Sequence, residues 1–464
     1  MTTDRIKQAV DHVHANRDAY MERFYDFLRI PSISTDPAFK PDILRGADWV
    51  LSELKRLGFD KVSAMPTDGH PLVYGEHMQA GSDKPTVLIY AHYDVQPVDP
   101  LNLWESPPFE PTVRNGKLYA RGASDDKSGV FGNLLVIESM LETAGSLPFN
   151  VKVFFEGEEE SGSPSMESFI AAHRDLLKAD LLIISDGGSD PGQPLIHYST
   201  RGIIGVEVLV TGAAADLHSG LLGGAVRNPA HLVGKMIASL HDENGHIMIP
   251  GAYDGATPLT DTERAYFDKF ESIILEGMHT ASGDFQLWGE PGFSFMERAT
   301  ARPSIDVNGI YGGYQGDGGK TIIPSKAGFK LTMRIAPGQD ADDIKAKLIK
   351  HFESFKEDTV EIKFLRQESY APSIMLFEGP IADAQSQAMR DVWGKEPLKL
   401  RSGGSIPIIG MFQKVLAMPI IGCGYSTGGS IHAPNEFLDL EHFWLNVDTG
   451  IHFYYNLADV KIGG

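Results

Sequence analysis

Hydrophobic and polar residues follow two different periods along this chain, and the period distinguishes predicted helices from predicted strands. Apolar residues recur at helical spacing from about Thr3 to Leu28 and again from about Ile43 to Leu57. Short continuous apolar runs predict buried strands at residues 86–91, 151–155 and 180–185, with a helical pattern at about 127–141. Alternation of strand and helix over this length predicts a largely parallel sheet flanked by helices.

The pattern changes at about residue 205. Apart from a long stretch between about 241 and 302, the predicted order is strand, helix, strand, strand, helix, strand, at residues 205–211, 229–240, 304–309, 327–335, 340–355 and 359–364. This is the order of a ferredoxin-like unit. After about Pro372 the mixed pattern returns, with helices near 381–392 and 441–457 and a strand at 418–421. The sequence therefore predicts one domain built from residues 1–203 and 373–464, interrupted by an inserted α+β domain of residues 204–372.

Length and composition support this division and exclude some partners. A chain of 464 residues exceeds what one hydrophobic core usually supports. The net charge of −21 would repel phosphate backbones and anionic lipids, which argues against nucleic-acid and membrane-surface partners. The single cysteine, Cys423, cannot form an internal disulfide, and residues 1–10 lack the apolar core of a signal peptide. We therefore expect a cytoplasmic protein without a membrane span.

Metal-capable side chains cluster where predicted strands end. They are His92, Asp94, Asp125, Glu158, Glu159, Glu160, Asp186 and His432. Carboxylates and imidazoles gathered around one crevice at strand ends are what a two-metal hydrolytic site requires. Each of these residues also has a structural interpretation that needs no metal.

His92 and Asp94 are separated by one residue and would point to the same side of a continuing strand. Asp94 is thus placed to hold the second ring nitrogen of a ligating His92. The alternative is a hydrogen-bonded pair with no function beyond structure. Asp125 directly precedes Asp126 and the helix that starts at about Lys127; it could bridge two cations, although aspartate is also a common helix N-cap.

Four glutamates fall within the five residues 156–160, directly after a predicted buried strand. One glutamate could bind a metal while its neighbour takes the proton from an attacking water. A solvated acidic run is the structural alternative. Asp186 could equally be a turn residue, and His432, in a Gly-rich loop, could equally face solvent.

A serine hydrolase is a competing interpretation. Residues 424–428 match the G-x-S-x-G pattern, with Ser426 as nucleophile and Asp439 with His442 or His452 as partners. That motif needs a helix immediately after the serine. Residues 429–434 do not predict one, which disfavours this interpretation.

Taken together, five ordered motifs resemble the M20 family of metallopeptidases, in particular its carnosinase-like dipeptidase branch, over essentially the whole chain. The motifs are AHYDV at 91–95, RGASDDKSG at 121–129, EGEEESGS at 156–163, SDG at 185–187 and GSIHAP at 429–434. The resemblance implies a zinc-peptidase-like catalytic domain and an inserted ferredoxin-like lid that also forms the homodimer.

The resemblance also implies roles for individual residues. It assigns Asp125 as the carboxylate bridging two divalent cations, zinc or alternatively manganese, with His92 and Asp186 completing one cation and Glu160 and His432 the other. Glu159 would be the general base and Asp94 would orient a ligand. The peptide bond between Asp125 and Asp126 is cis in the family.

In the inserted domain, His218 matches the family histidine that enters the partner subunit's site. Arg334 resembles the arginine that binds the substrate carboxylate, while a surface strand arginine is its structural alternative. Thr321 and the turn with Gly404 and Ser405 resemble further substrate contacts.

The expected activity is hydrolysis of dipeptides or similar small amides, because aspartate at position 186 is associated with the dipeptidases and aminopeptidases of the family. Two alternatives stay open: an amidohydrolase acting on N-acyl or N-succinyl amino acids, and a non-enzymatic peptide-binding protein.

Overall fold

The computed structural model describes residues 2–189, 192–282 and 285–462. The chain divides into two compact units, the first made of Met1–Tyr198, Met375–Lys399 and Met411–Gly464, the second of Ser199–Ile374 and Leu400–Gly410. The sequence-based division assigned residues 400–410 to the last segment of the interrupted domain, whereas here they belong to the second unit. None of the helices described is both long and apolar enough to span a membrane.

The first unit is built on a six-stranded mixed sheet. In spatial order its strands are Lys61–Met65, Leu72–His77, Asn150–Glu156, Thr86–His92, Leu181–Ile184 and Ile420–Gly422. The last four run parallel to one another, and Leu72–His77 is antiparallel to both of its neighbours. Four of the six strands are thus parallel, which confirms the predicted largely parallel sheet.

The central strands are mostly apolar because both faces of the sheet are covered. The side chains of Val87, Ile89 and Ala91 belong to the large core of the first unit. On the opposite face, Phe154 packs edge-to-face on Phe412 with ring centroids 5.1 Å apart.

Helices enclose this sheet. They are Thr2–Ala15, Arg17–Leu28, Lys40–Arg56, Lys127–Ala144, Met166–Ala172, Arg174–Leu177, Pro380–Trp393 and Leu440–Leu457, with single 3₁₀ turns at Pro37–Phe39, Leu101–Leu103 and Glu159–Ser161. The single N-terminal helix expected from the sequence is interrupted at Asn16, whose backbone is not helical and whose side-chain amide donates to the carbonyl of His12 at 2.8 Å. Asparagine competes with the helical backbone in this way.

The helix Lys127–Ala144 is central to the first unit, because it begins directly after Asp125 and Asp126. It is buried from Lys127 to Met140 and ends at Gly145 in the left-handed conformation. A Cβ at Gly132 would lie 2.3 Å from the ring of Tyr425, so the helix can approach the segment after strand Ile420–Gly422 only with glycine here.

The first unit also contains a small antiparallel sheet. Its strands, in order, are Gly428–Gly429, Phe437–Asp439, Lys117–Tyr119 and Thr112–Arg114. It therefore pairs the chain on either side of His432 with the chain that leads into the Asp125 turn.

The second unit contains a four-stranded antiparallel sheet in the order Ser304–Gly312, Lys326–Ile335, Gly202–Thr211, Glu361–Tyr370. The helices Pro229–Ala238 and Ala341–Glu353 contribute Leu232, Met236 and Leu348 to the core on this sheet. Strand order and connection are those of a ferredoxin-like unit, as predicted.

The second unit and the segments that adjoin it in sequence contain further elements that the sequence pattern did not predict. They are the helices Ser219–Leu222, Asp261–Ser282, Phe295–Thr300 and Pro407–Leu416, the paired strands Leu217–His218 and Ile322–Ile323, and a three-stranded sheet in the order Ser373–Ile374, Leu195–Thr200, Leu398–Arg401.

Candidate metal centre

The parallel strands of the first unit end at one edge of the sheet, and three of the candidate ligands lie at or just after those ends. His92 is the last residue of its strand and is fully buried. Glu160 follows the neighbouring strand, which ends at Glu156, and Asp186 follows the strand that ends at Ile184. Open sheets of this kind bind ligands at the carboxyl ends of their strands.

Asp125 lies between the two candidate histidine ligands. Its Oδ1 is 3.2 Å from Nε2 of His92, and its Oδ2 is 2.9 Å from Nε2 of His432. The peptide bond between Asp125 and Asp126 is cis. Each oxygen of this one carboxylate is thus directed at a different imidazole, which is the arrangement expected of a carboxylate shared by two cations.

The described residues form two groups of potential metal ligands that share Asp125. One contains His92, Asp125 and Asp186, and the other contains Asp125, Glu160 and His432; the candidate ligand atoms in each group lie within 4.8 Å of one another. Each group offers one imidazole nitrogen and carboxylate oxygens, a donor set that suits zinc and also accommodates manganese. The residues present therefore fit divalent cations.

The ring of His92 is held in an orientation that suits ligation. Its Nδ1 lies 3.1 Å from the main-chain carbonyl oxygen of Asp94 and 3.4 Å from the Asp94 carboxylate. A carbonyl oxygen only accepts hydrogen bonds, so in the neutral ring Nδ1 carries the proton and Nε2 presents its lone pair towards Asp125.

The buried carboxylate of Asp94 also fixes the segment that carries two other candidates. Its Oδ1 accepts the backbone N–H of Glu159 at 3.2 Å, and its Oδ2 accepts that of Glu160 at 3.0 Å. Gln96, which the sequence pattern did not single out, donates to Oε2 of Glu160 at 2.7 Å. Asp94 thus orients His92 and positions the Glu159–Glu160 turn at the same time.

The site concentrates negative charge in a buried volume. Burial and the charge of Asp125 raise the pKa of Asp186 to about 7. Burial, with Asp186 and Glu160 adding to it against the opposing effect of His92, raises the pKa of Glu159. Hydrogen bonds to Asp125 and Glu160 raise the pKa of His432 to about 10. Without metal, bound protons compensate part of the negative charge of these carboxylates. A cation would take over that compensation, so we expect metal binding to release protons.

Glu158 and Asp126 have structural partners. The carboxylate of Glu158 accepts the backbone N–H groups of His70 at 2.9 Å and Ser165 at 2.7 Å. Asp126 is buried and accepts the backbone N–H of His92 at 3.3 Å. These contacts account for Glu158 without a metal, as the M20 resemblance implies.

The serine hydrolase interpretation finds no support at Ser426. The hydroxyl of Ser426 shares a hydrogen bond with the hydroxyl of Ser124. His442 instead contacts Asp439 through Nδ1 at 2.7 Å and accepts the backbone N–H of Gly192 through Nε2 at 2.8 Å. His452 lies 3.8 Å from Asp391.

In the second unit, the substrate-binding candidates form two clusters. In the first, Arg334 donates to the hydroxyl of Ser405 at 2.6 Å, and the backbone N–H of Arg201 donates to the carbonyl of Gly404 at 2.9 Å. Burial and the neighbouring Arg334 guanidinium lower the pKa of Arg201 to about 10, while Asp306 opposes this shift. Two neighbouring guanidinium groups favour an anion nearby. The sequence pattern did not single out Arg201.

The second cluster contains His218 and Thr321, which are both exposed. His218 pairs with Ile322 in a two-stranded ladder, and the backbone N–H of Ser219 donates to the carbonyl of Thr321 at 3.0 Å. Residues that are far apart in sequence are thus brought side by side on this surface.

Comparison with known proteins defines the class. Residues 88–459 match the model of peptidase family M20/M25/M40. The Cys-Gly metallodipeptidase DUG1 of Candida albicans is 33% identical, with 98% of this chain and 98% of that protein covered. The human Beta-Ala-His dipeptidase is 29% identical, with 98% of this chain and 93% of that protein covered.

Among solved structures, the M20 family metallo-carboxypeptidase Sso-CP2 from Sulfolobus solfataricus has a TM-score of 0.84 at 32% identity, covering 95% of this chain and 99% of that one. The site and these likenesses define a metallopeptidase. The chain belongs to peptidase family M20/M25/M40, which confirms the predicted M20 membership.

Replacement of Asp186 by asparagine should stabilise the metal-free protein while weakening its binding of metal. The pKa of Asp186 is raised to about 7 from the usual 3.8, so its stabilising contribution is present at low pH and is lost as the pH rises from about 4 to 7. At pH 8 without metal, we expect the free energy of unfolding of Asp186→Asn to exceed that of the wild type by on the order of 4 kcal/mol.

Thermal melts at pH 5 and pH 8, with chelator and then with excess Zn²⁺, measure this effect. The gain should be clearly smaller at pH 5 than at pH 8, and Zn²⁺ should stabilise the wild type more than the variant. Asp180→Asn, just before the same strand, is the control: its carboxylate accepts the backbone N–H of Thr86 at 2.8 Å and belongs to neither ligand group, so it should leave the stabilisation by Zn²⁺ at the wild-type value. A variant that is no more stable than wild type at pH 8 would contradict this interpretation of Asp186.

Proposed function

We propose that this protein is a two-metal dipeptidase that hydrolyses the peptide bond of dipeptides or similar small peptides. The observation that carries the proposal is the carboxylate of Asp125, whose two oxygens contact His92 and His432, each of which belongs to its own three-residue ligand group. Names of relatives such as the Cys-Gly metallodipeptidase support the substrate class. Zinc is the proposed metal, with manganese as the alternative.

In this proposal the chain's own residues position water and move its proton. The chemistry that divalent cations supply when bound is Lewis acidity, which lowers the pKa of water and polarises the scissile carbonyl. Glu159 accepts the proton of the attacking water and then donates it to the leaving amine. Burial raises the pKa of Glu159 above its usual value, which makes its carboxylate a better proton acceptor than an exposed glutamate.

The position of Glu159 supports its role as the base. Its backbone is anchored by Asp94, and it stands one residue before the candidate ligand Glu160. Glu159 belongs to neither three-residue ligand group. A carboxylate beside the ligands that is not itself a ligand can exchange a proton with water at the site.

Recognition of the substrate's terminal carboxylate falls to Arg334 in this proposal, with Gly404, Ser405 and Thr321 as further contacts. Arg334 is half-buried, and burial lowers its pKa while Asp306 opposes that shift. A partly desolvated guanidinium is a strong, planar, bidentate donor to a carboxylate. Selection for a free carboxylate would favour short peptides over internal sites of proteins.

We further propose that the protein is a cytoplasmic homodimer that forms through the inserted domain, with His218 acting at the partner's site. His218 is exposed, and its Nδ1 accepts the backbone N–H of Gly220 at 3.0 Å, which leaves Nε2 directed away from that turn. The buried, unpaired Cys423 is compatible with a reducing compartment.

Two further activities use the same chemistry. The likeness to a metallo-carboxypeptidase at 32% identity favours a carboxypeptidase as the second candidate. Hydrolysis of N-acyl amino acids is the other. A panel of free dipeptides, N-blocked dipeptides, tripeptides, and acetylated and succinylated amino acids distinguishes them, because only a dipeptidase should prefer the free dipeptides.

Glu159→Gln should lose hydrolysis and keep its metal. Glutamine preserves the size of the side chain but cannot accept the proton of water, so we expect kcat for dipeptides to fall by about 10²- to 10⁴-fold. Metal content, measured on the same preparation, should stay at the wild-type level. A variant that retains metal and hydrolyses dipeptides at the wild-type rate would refute the role of Glu159.

The matched control for this variant is Glu158→Gln. Glu158 is the adjacent glutamate, and its carboxylate is engaged by backbone amides rather than by candidate ligands. The Glu158→Gln variant should have lower thermal stability than the wild type, while its kcat should change far less than that of Glu159→Gln. Equal losses of kcat in the two variants would mean that the assay reports folding of the turn rather than proton transfer.

Arg334→Lys should impair hydrolysis only of substrates with a free carboxylate. Lysine keeps the charge but loses the bidentate geometry, which costs about 1.5 to 3 kcal/mol for a charge-assisted hydrogen bond. We therefore expect kcat/KM for dipeptides to fall about 10- to 100-fold, and kcat/KM for the corresponding dipeptide amides to be unchanged. Equal losses on both substrates would assign Arg334 a structural role.

His218 can be tested by mixing inactive subunits. If His218 acts at the partner's site, coexpressed Glu159→Gln and His218→Ala subunits should form mixed dimers with activity that neither variant has alone. Each mixed dimer then has one complete site, made of Glu159 from one subunit and His218 from the other. Absence of recovery in purified mixed dimers would place His218 in its own subunit's site or outside catalysis.

A further inference from the structure

We propose that Glu436 is a positioning residue that, together with Arg121, holds the Asp125 turn and the His432 loop in the geometry that binds the cations. The inference rests on the metal site of the proposed function. It concerns a buried ion pair that is distinct from the candidate ligands and from the base.

The carboxylate of Glu436 is fully buried and accepts three backbone N–H groups of one turn. Its Oε2 accepts from Gly122 at 2.9 Å, and its Oε1 accepts from Ser124 at 2.9 Å and from Asp125 at 3.0 Å. Three amides that point at one carboxylate fix the path of the backbone. The N–H of Asp125 itself is among them, so Glu436 directly sets the direction in which the Asp125 side chain leaves the turn.

Arg121 extends this network to the other loop. It is buried and donates through Nη1 to Oε2 of Glu436 at 2.6 Å. Through Nη2 it donates to the carbonyl oxygens of Pro97 at 2.9 Å and Ala433 at 3.3 Å. Ala433 follows His432 directly, and the backbone carbonyl of Glu436 accepts the N–H of Ala120 at 3.2 Å. The pair therefore joins both sides of the 2.9 Å contact between Asp125 and His432.

The chemistry of this network explains why a glutamate stands here, in a region already crowded with carboxylates. The hydrogen bonds to its two oxygens come from three backbone N–H groups and the Arg121 guanidinium, so the charge of Glu436 interacts with these donors rather than with a cation. Glutamine in its place would turn an NH₂ group towards backbone N–H donors. Buried donors without an acceptor cost about 1 to 3 kcal/mol each, so the turn would move to find other partners.

Glu436→Gln should therefore weaken the binding of metal. Competition of the full-length protein with a chromophoric chelator for Zn²⁺, and separately for Mn²⁺, measures the affinity without any activity assay. Partners that orient metal ligands typically contribute 10- to 100-fold to affinity, so we expect a loss of about that size. The melting temperature of the metal-free protein, recorded on the same samples, reports the accompanying change in stability.

Glu138→Gln is the matched control. Glu138 is another buried glutamate of the first unit, and Arg23 and Arg56 donate to it, but no backbone amide of the ligand turns does. It should lower the melting temperature and leave the affinities for Zn²⁺ and Mn²⁺ at the wild-type values. If Glu436→Gln does not fold, Arg121→Lys provides the test, because it keeps the charge but cannot reach Glu436, Pro97 and Ala433 together.

The outcomes separate this inference from the proposed function. Wild-type protein that binds neither ion would refute the metal site itself. Wild-type protein that binds the ions, with Glu436→Gln or Arg121→Lys showing unchanged affinity, would refute only the positioning role. Weaker binding in these variants, with unchanged binding in Glu138→Gln, would support the assignment.

Discussion

The carboxylate of Asp125 contacts an imidazole through each of its two oxygens, and the surrounding segments are arranged around that double contact. It requires the end of a central strand, which supplies His92, and a distant loop, which supplies His432, to meet at the turn before a buried helix. Asp125 contacts both imidazoles because its backbone is held in place by the hydrogen bond from its N–H to the Glu436 carboxylate. The large core beneath this turn keeps the sheet edge and the helix in place.

The negative charge of the buried carboxylates is the main destabilising feature of the metal-free site. Asp186, Glu159 and Glu160 all have raised pKa values, with burial as the largest cause. Ionised carboxylates gathered in a buried volume destabilise a fold unless protons or cations compensate them. The metal-free fold at neutral pH is thus under strain from the groups that would bind the cations. Such a trade of stability for binding is typical of functional sites.

The architecture was largely predictable because it depends on hydrophobic period. Continuous apolar strands identified the central sheet, and the order of elements identified the ferredoxin-like unit. The stretch between residues 241 and 302 was not resolved into elements by its pattern, although it contains the helix Asp261–Ser282. The hydrophobic pattern also did not predict that residues 400–410 belong to the second unit. The turn Ser402–Ser405 belongs to that unit because of its tertiary contacts with Arg201 and Arg334, which a local pattern does not reveal.

The candidate ligands were found from residue type and position, and Asp94 was predicted as a supporting residue, whereas Gln96 and Glu436 were not. Glu158 and Glu160 are chemically identical and two positions apart, yet one accepts backbone amides of other segments and the other faces His432. Nothing in a local pattern separates them, since the difference lies in which donors the fold brings near.

Glu436 presents the same difficulty in reverse. The sequence shows only that Glu436 lies four residues after the candidate ligand His432. Its role depends on its hydrogen bonds to a turn more than 300 residues earlier in the chain. A carboxylate that binds metal and a carboxylate that binds the backbone of a metal ligand look alike in sequence. They differ in the groups that face their oxygens, a cation in one case and N–H donors of the chain in the other, and only the fold determines which groups those are.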